Sequence, residues 1–331
     1  MRNHLIAELG RIAAEDERTV LLTADLGYGV LKDFAQQFPE RCFNVGICEQ
    51  NMTAVAAGLA LEGRVAYTYS IGNFPVMRCL EQIRNCVCYH NANVKIIAVG
   101  GGFAYGQLGM THHATEDLAV MRALPNMRVF CPADPDEAMK IVRHAHSIEG
   151  PCYIRLAKGG EKSLHSDVAD YDVTKILELR RGKRVAVVAT GSVLAEAISA
   201  ANRLADEGIE IGVCNCMMLK PFDEDGFTRL AHEYEVLISI EEHNIIGGLG
   251  SALADALATR CSWKMPRLIR LGLQDVFTSI VGSQQYLRRY YGLSEDDIVS
   301  RVKSIVSPVN SPPQTQCEKF RDEKLRHCQL T

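Results

Sequence analysis

The chain has no uninterrupted apolar run of 18 or more residues, so no segment is expected to span a membrane. It has no surplus of positive charge: Lys plus Arg is 36 against 40 for Asp plus Glu, a net charge of −4. Phosphate backbones need clustered cations, so nucleic acid is excluded as the main partner. The one short basic run, Arg180, Arg181, Lys183 and Arg184, reads as a solvated strand entrance. There is no G-x-x-x-x-G-K-[ST], and no G-x-G-x-x-G between a strand and a helix, so no cradle for nucleotide phosphates is expected. The opening residues, MRNHLIAELGRIAAEDE, carry acids in their first turns, which suits an amphipathic helix and not a secretory signal. These absences together predict a soluble cytoplasmic protein. Cysteine is not scarce, at twelve. Yet the close pairs, Cys86 with Cys88 and Cys214 with Cys216, have C-x-C spacing and not the C-x2-4-C of zinc sites. Buried reduced thiols are the expectation, with no metal held by this chain.

What is present is an alternation. At 331 residues and 47% hydrophobic content, the chain is long enough for two domains with full cores. Strands are predicted at Thr19–Ala24, Cys42–Gly46, Arg64–Ser70, Val94–Val99, Met127–Phe130 and Cys152–Arg155, with helices at 2–15, 49–61, 75–89, 115–124 and 134–146 between them. Polar, glycine-bearing residues 157–174 interrupt the rhythm. It then resumes with strands at Val185–Thr190, Ile209–Cys214, Val236–Ile240 and Arg267–Leu271 and helices at 192–207, 223–232, 248–260 and 283–306. The expectation is an α/β chain of two domains, residues 1–160 and 174–306, each with a mostly parallel sheet flanked by helices. A Pro-punctuated polar tail, 307–331, is expected to be loosely held.

In such folds ligands sit beyond the carboxyl ends of strands. Three strand-to-helix segments therefore stand out. Asn44 to Asn51, NVGICEQN, puts Glu49 in the first turn of a helix, where an acid is also favoured simply by the helix dipole. Gly100 to His113 carries five glycines in ten residues and then two adjacent histidines, more glycine than a plain connection needs. Glu241 to Ser251, EEHNIIGGLGS, reads better as close helix packing than as chemistry.

Taken in order, NVGICEQNMTAVAAGLAL, RCLEQIRN, GMTHHATEDLAVMRALPNMRVFCPADPDEA, LKPFD, EEHNIIGGLGSALA and YGL resemble the second half of a transketolase, over nearly the whole chain to about residue 305. The resemblance implies a thiamine-diphosphate pyrimidine-binding domain followed by a transketolase C-terminal domain. The family's metal-holding Gly-Asp-Gly is missing from this chain. The resemblance therefore implies a split enzyme, in which a separate N-terminal subunit supplies the diphosphate and Mg2+ half, in an α2β2 assembly acting on a sugar.

Residue by residue, the resemblance gives Glu49 the role of the acid beside the cofactor's aminopyrimidine, which promotes the proton removal that activates the ring. Phe74 resembles the aromatic that stacks on the pyrimidine, Tyr69 a lining residue, and Asp25 an aspartate near the cofactor. His112 matches the histidine of the T-H-Q segment that contacts the donor, and His113, which stands here in place of Gln, is expected to bind substrate beside it. Lys158 stands near the position where the family often has an arginine that binds substrate phosphate; an ammonium is a point charge without the bidentate fork. Leu108 stands where many family members have an Asp that accepts a donor hydroxyl. That exchange points to a modified or less hydroxylated sugar. It also keeps open a decarboxylating enzyme that takes a 2-oxo acid such as pyruvate, like deoxyxylulose-phosphate synthases or the β subunits of 2-oxo-acid dehydrogenases. A non-catalytic remnant of the family would have lost the activating acid, and Glu49 is present.

Overall fold

The computed structural model describes residues 1–164, 170–260 and 265–306. The tail 307–331 lies outside the described residues. Twelve strands form two sheets. In chain order they are β1 (Thr19–Thr23), β2 (Cys42–Asn44), β3 (Val65–Ile71), β4 (Val94–Val99), β5 (Arg128–Phe130) and β6 (Cys152–Leu156), then β7 (Ile176–Arg180), β8 (Val185–Ala189), β9 (Gly212–Cys216), β10 (Met218–Lys220), β11 (Val236–Asn244) and β12 (Arg267–Leu273). The first sheet runs β10-β5-β6-β4-β3-β1-β2 and the second β12-β11-β8-β9-β7. All pairings are parallel except β10 on β5 and β7 on β9.

Every residue of β1, β4, β6, β8 and β9 is buried. A parallel sheet covered by helices on both faces asks for such continuous apolar runs; VAVVA supplies one, and VKIIAV does so but for Lys95, whose Nζ is held inside by the carbonyls of Ile148 and Gly150. The two antiparallel edge strands, β7 and β10, escaped the sequence reading. β10 also leaves the second half of the chain to join the first sheet: it follows β9 after a single residue, yet pairs with β5. The two halves share packing as well. One apolar core runs from Val20, Met52 and Ile96 through to Val188, Leu237 and Leu253. Arg155 on β6 clasps the halves from within. Its Nε donates to Asp117 at 2.8 Å and its Nη2 to the carbonyls of Ala114 and, on β11, Glu242.

Two helices differ from expectation. Residues 72–79 are consecutive turns, and only Leu80–Gln82 and the π-helical Ile83–Cys88 coil regularly. The predicted helix 283–306 is two pieces, Gln284–Tyr290 and Glu295–Val306.

Candidate functional site

Helix Glu49–Leu61 begins directly after the turn that follows β2. Its buried residues are Glu49, Met52, Thr53, Ala56 and Ala57, a spacing of three and four that marks one stripe. Glu49 therefore lies on the inward stripe, and its carboxylate is only 2% exposed. Arg78 meets it, with Nη1 at 2.7 Å from Oε2. The other carboxylate oxygen, Oε1, has no partner among the described residues. Gln50, next in the helix, donates Nε2 to the Arg78 carbonyl at 3.0 Å and so fixes the run that carries that arginine.

The Arg78 guanidinium also lies over the Phe74 ring, 4.9 Å from its centroid. Phe74 in turn meets His112 edge-on, centroid to centroid 5.2 Å. Glu49, Arg78, Phe74 and His112 thus form one contiguous group drawn from three separate loops. His112 is half-buried, and its Nδ1 lies 3.0 Å from the Thr111 hydroxyl. Burial, and then the neighbouring His113, hold its pKa below the ordinary histidine value.

Asp25 stands beside this group through the β2 turn. It takes the left-handed backbone conformation, φ 55°. Its N–H donates to Asn44 Oδ1 at 2.9 Å, and Asn44 Nδ2 donates back to Asp25 Oδ1 at 3.1 Å. Asn44 Oδ1 also accepts the Gly46 N–H, so Asp25 is tied to the bend that launches the Glu49 helix.

Leu108 and Lys158 come together elsewhere, in a cleft of about 280 Å³ whose wall includes Tyr105, Gln107, Ser283 and Gln284. Leu108 is 54% exposed. Lys158 Nζ sits 5.2 Å from the Tyr105 ring centroid. This cleft joins the glycine-rich loop to the second half of the chain.

Two residues expected at the site are held away from it. Tyr69 is buried in the apolar cluster with Leu31, Phe34 and Tyr67. Side chains alternate along a strand, so on β3 Tyr67 and Tyr69 face away from Ala66, which packs with Met52 of the Glu49 helix. Burial pushes the Tyr69 phenol up to about 12. His113, expected to bind substrate, is instead 1% exposed with both ring nitrogens engaged inside the protein.

The glycines of the loop make room for the chain itself. A Cβ on Gly100 would fall 2.2 Å from the Tyr105 ring, and one on Gly106 would fall 2.6 Å from the Gly282 carbonyl oxygen. The third segment, Glu241 to Ser251, is a helix start: Glu241 accepts the N–H groups of Leu249 and Gly250 at 2.6 and 2.8 Å. The sequence reading did not single out Arg78, which reaches Glu49, or Gln50, which holds the Arg78 carbonyl. Only Arg78 had a local signal, a cation one helical turn beyond Phe74.

Both halves of the chain match known protein families. The family model described as transketolase, pyrimidine binding domain, matches residues 1–160, and the transketolase C-terminal domain matches residues 174–298. The chain is 38% identical over 272 residues to an apulose-4-phosphate transketolase subunit of Actinobacillus succinogenes, covering 82% of this chain and 87% of that protein. It is 35% identical over 311 residues to a 6-deoxy-6-sulfo-D-fructose transketolase subunit of a Clostridium species, covering 94% and 95%. A solved split-gene transketolase, an inactive β4 tetramer, superposes with a TM-score of 0.81 at 39% identity, over 92% of this chain and 96% of that one.

Proposed function

Since this chain belongs to the transketolase family, we propose that it is one of two different subunits of a thiamine-diphosphate-dependent enzyme that moves a two-carbon ketol unit from a ketose to an aldose. The observation that carries the reading is the buried Glu49 carboxylate, one oxygen held by Arg78 and the other without a partner among the described residues, in one group with Phe74 and His112. A carboxylate oxygen left open to accept, on a side chain only 2% exposed and beside a half-buried aromatic, suits the aminopyrimidine end of the cofactor: the oxygen would accept from a ring N–H and Phe74 would stack. Stacking of this kind is worth roughly 0.5–1.5 kcal/mol beyond burial.

When bound, thiamine diphosphate supplies the electron sink that lets the C2–C3 bond of a ketose break. The chain's own residues do the positioning and the proton work. Glu49 holds a proton at the pyrimidine ring, a contribution on the order of 10²–10⁴-fold. Arg78 keeps the carboxylate oriented by gripping one oxygen and leaning on Phe74. His112, kept neutral near pH 7 by its burial, serves the donor's carbonyl side as a proton acceptor and donor. Lys158 attracts the anionic end of a phosphorylated or similarly charged sugar.

The partner is an N-terminal subunit carrying the diphosphate and Mg2+ half, in an α2β2 assembly. Two relatives that are themselves named as transketolase subunits, each matched over most of its own length, support that division. By name, those relatives act on apulose 4-phosphate and on 6-deoxy-6-sulfo-D-fructose. Together with Leu108 they support a modified sugar as substrate. Among the described residues no helix is long and apolar enough to cross a membrane, and nine cysteines are free thiols. Both fit the reducing cytoplasm.

Reconstitution tests the reading. This chain and its N-terminal partner, mixed with thiamine diphosphate and Mg2+, should transfer a ketol unit, and neither alone should do so. Release of CO2 from pyruvate by the pair, without ketol transfer, would replace the reading with the decarboxylating one.

A further inference from the structure

We infer that His113 is a positioning residue: it locks the glycine-rich loop against the second half of the chain and so fixes where His112 points. Its catalytic consequence rests on the functional reading above; the lock itself does not.

His113 is a junction of three separate segments. Its carbonyl accepts from Asn73 Nδ2 at 2.6 Å, which ties it to the turn that bears Phe74. Its Nε2 lies 3.0 Å from the Gly106 carbonyl oxygen. A carbonyl only accepts, so Nε2 carries the proton, and in the neutral ring Nδ1 is then an acceptor. Nδ1 faces the Thr278 hydroxyl at 2.5 Å, in the segment after β12 of the second sheet. Thr278 is 2% exposed. Phe103 closes over the ring edge-on at 5.7 Å.

Gly106 is the other end of the lock. Its carbonyl oxygen also accepts from the Gly282 N–H at 3.2 Å. The loop is therefore held at Gly106 and at His113, to itself and to the 274–283 segment. His112 is the residue immediately before the anchored one. Among the described residues its ring has only the local Thr111 contact and the Phe74 edge, and its N–H donates to the Gly109 carbonyl at 2.9 Å within the same loop. Its direction is set by its neighbour.

Removing the imidazole would strand a buried hydroxyl and weaken the tie at Gly106, which costs more than the bonds themselves contribute. Glutamine has the right complement, an N–H for Gly106 and a carbonyl for Thr278. Serine at 278 keeps the hydroxyl, and valine keeps the shape without it.

The test pairs His113→Ala and Thr278→Val with the conservative His113→Gln and Thr278→Ser. The readouts are ketol-transfer kinetics of the assembled enzyme, corrected for folded protein, and the His112 ring resonances of this chain. Those resonances carry a ring-current shift from Phe74. We expect the first two variants to lose about 10- to 100-fold in kcat, the scale of a displacement of about 1 Å. Cofactor affinity should stay unchanged, and His112 should lose its ring-current shift. The conservative pair should restore both. In a His112→Ala background, neither His113→Ala nor Thr278→Val should lower kcat further. Variants that melt earlier but keep kcat and the His112 shift would overturn the inference. Should the parent enzyme show no ketol transfer, the functional reading fails while the His112 resonance still decides the lock: an unmoved shift in Thr278→Val refutes it.

Discussion

Arg78 and Glu49 meet at 2.7 Å, the arginine half in solvent and the carboxylate almost wholly enclosed. Because the same guanidinium rests on Phe74, removing the acid and removing the arginine should have different consequences. Glu49→Ala takes away the group that handles the proton, so turnover should fall by about 10²–10⁴-fold while the subunits still assemble. Arg78→Ala leaves the acid in place but releases its orientation, so it should be the milder lesion. Steady-state kinetics with size-exclusion chromatography of both variants checks this. Near-parental turnover in Glu49→Ala would remove the basis of the mechanism.

His112 should govern the acid side of the pH–rate profile. Burial lowers its pKa, so at neutral pH the ring is uncharged and able to accept a proton. As pH falls below the ordinary histidine value of about 6.5, protonation should switch that ability off. kcat should therefore decline on the acid side, with a midpoint below about 6.5. In His112→Asn the plateau should be lower and this limb should vanish. A limb that persists unchanged in the variant would assign it to another group.

The parts of this site that lie close along the chain were legible in the sequence. NVGICEQN shows a strand turning into a helix with an acid in its first turn, and the helix period puts Glu49 on the same stripe as Met52 and Ala56. VKIIAV is apolar at every position but Lys95 because both faces of β4 are covered, and the lysine is held inside by the carbonyls of Ile148 and Gly150. What could not be read depends on distant partners. His112 and His113 are chemically alike and adjacent, and their different fates are decided by a hydroxyl 165 positions away. Arg78 reaches Glu49 across 29 positions. β10 has three residues and its register is set by β5, so no local pattern announces it. The family resemblance drew Tyr69 to the site, and the alternation along β3 turns it to the other face.

The same histidine chemistry predicts how stability varies with pH. His144 and His146, both in the helix Pro135–Ser147, have pKa values lowered chiefly by burial, against the opposing pull of Asp172 on the first and Asp16 on the second. In the unfolded chain these rings protonate near about 6.5; in the folded chain they do so only at lower pH. Between those values the unfolded state binds more protons, so stability rises with pH. The contribution is complete above about 6.5 and is lost as the pH falls through that window. Urea titrations of this chain at pH 7.5 and at about pH 5.5 should show the lower midpoint at the lower pH. Equal midpoints would mean the rings are as free to protonate folded as unfolded.

Leu108 offers the sharpest test of what the sugar looks like. Its side chain is largely exposed at the rim of the cleft that also holds Lys158 and Gln284, so a polar replacement should not disturb the core. An aspartate there would give a donor hydroxyl a charged acceptor, and a hydrogen bond to a charged group is worth roughly 1.5–3 kcal/mol. Leu108→Asp should therefore raise kcat/KM for a fully hydroxylated ketose phosphate by about 10- to 100-fold relative to a donor lacking that hydroxyl. The parent enzyme should favour the less hydroxylated donor, because a hydroxyl against leucine gives up its water without a partner. Competition between the two donors in one reaction measures the ratio directly. A ratio that does not move with the substitution would place the Leu108 side chain away from the donor and return the choice of sugar to other residues of the cleft.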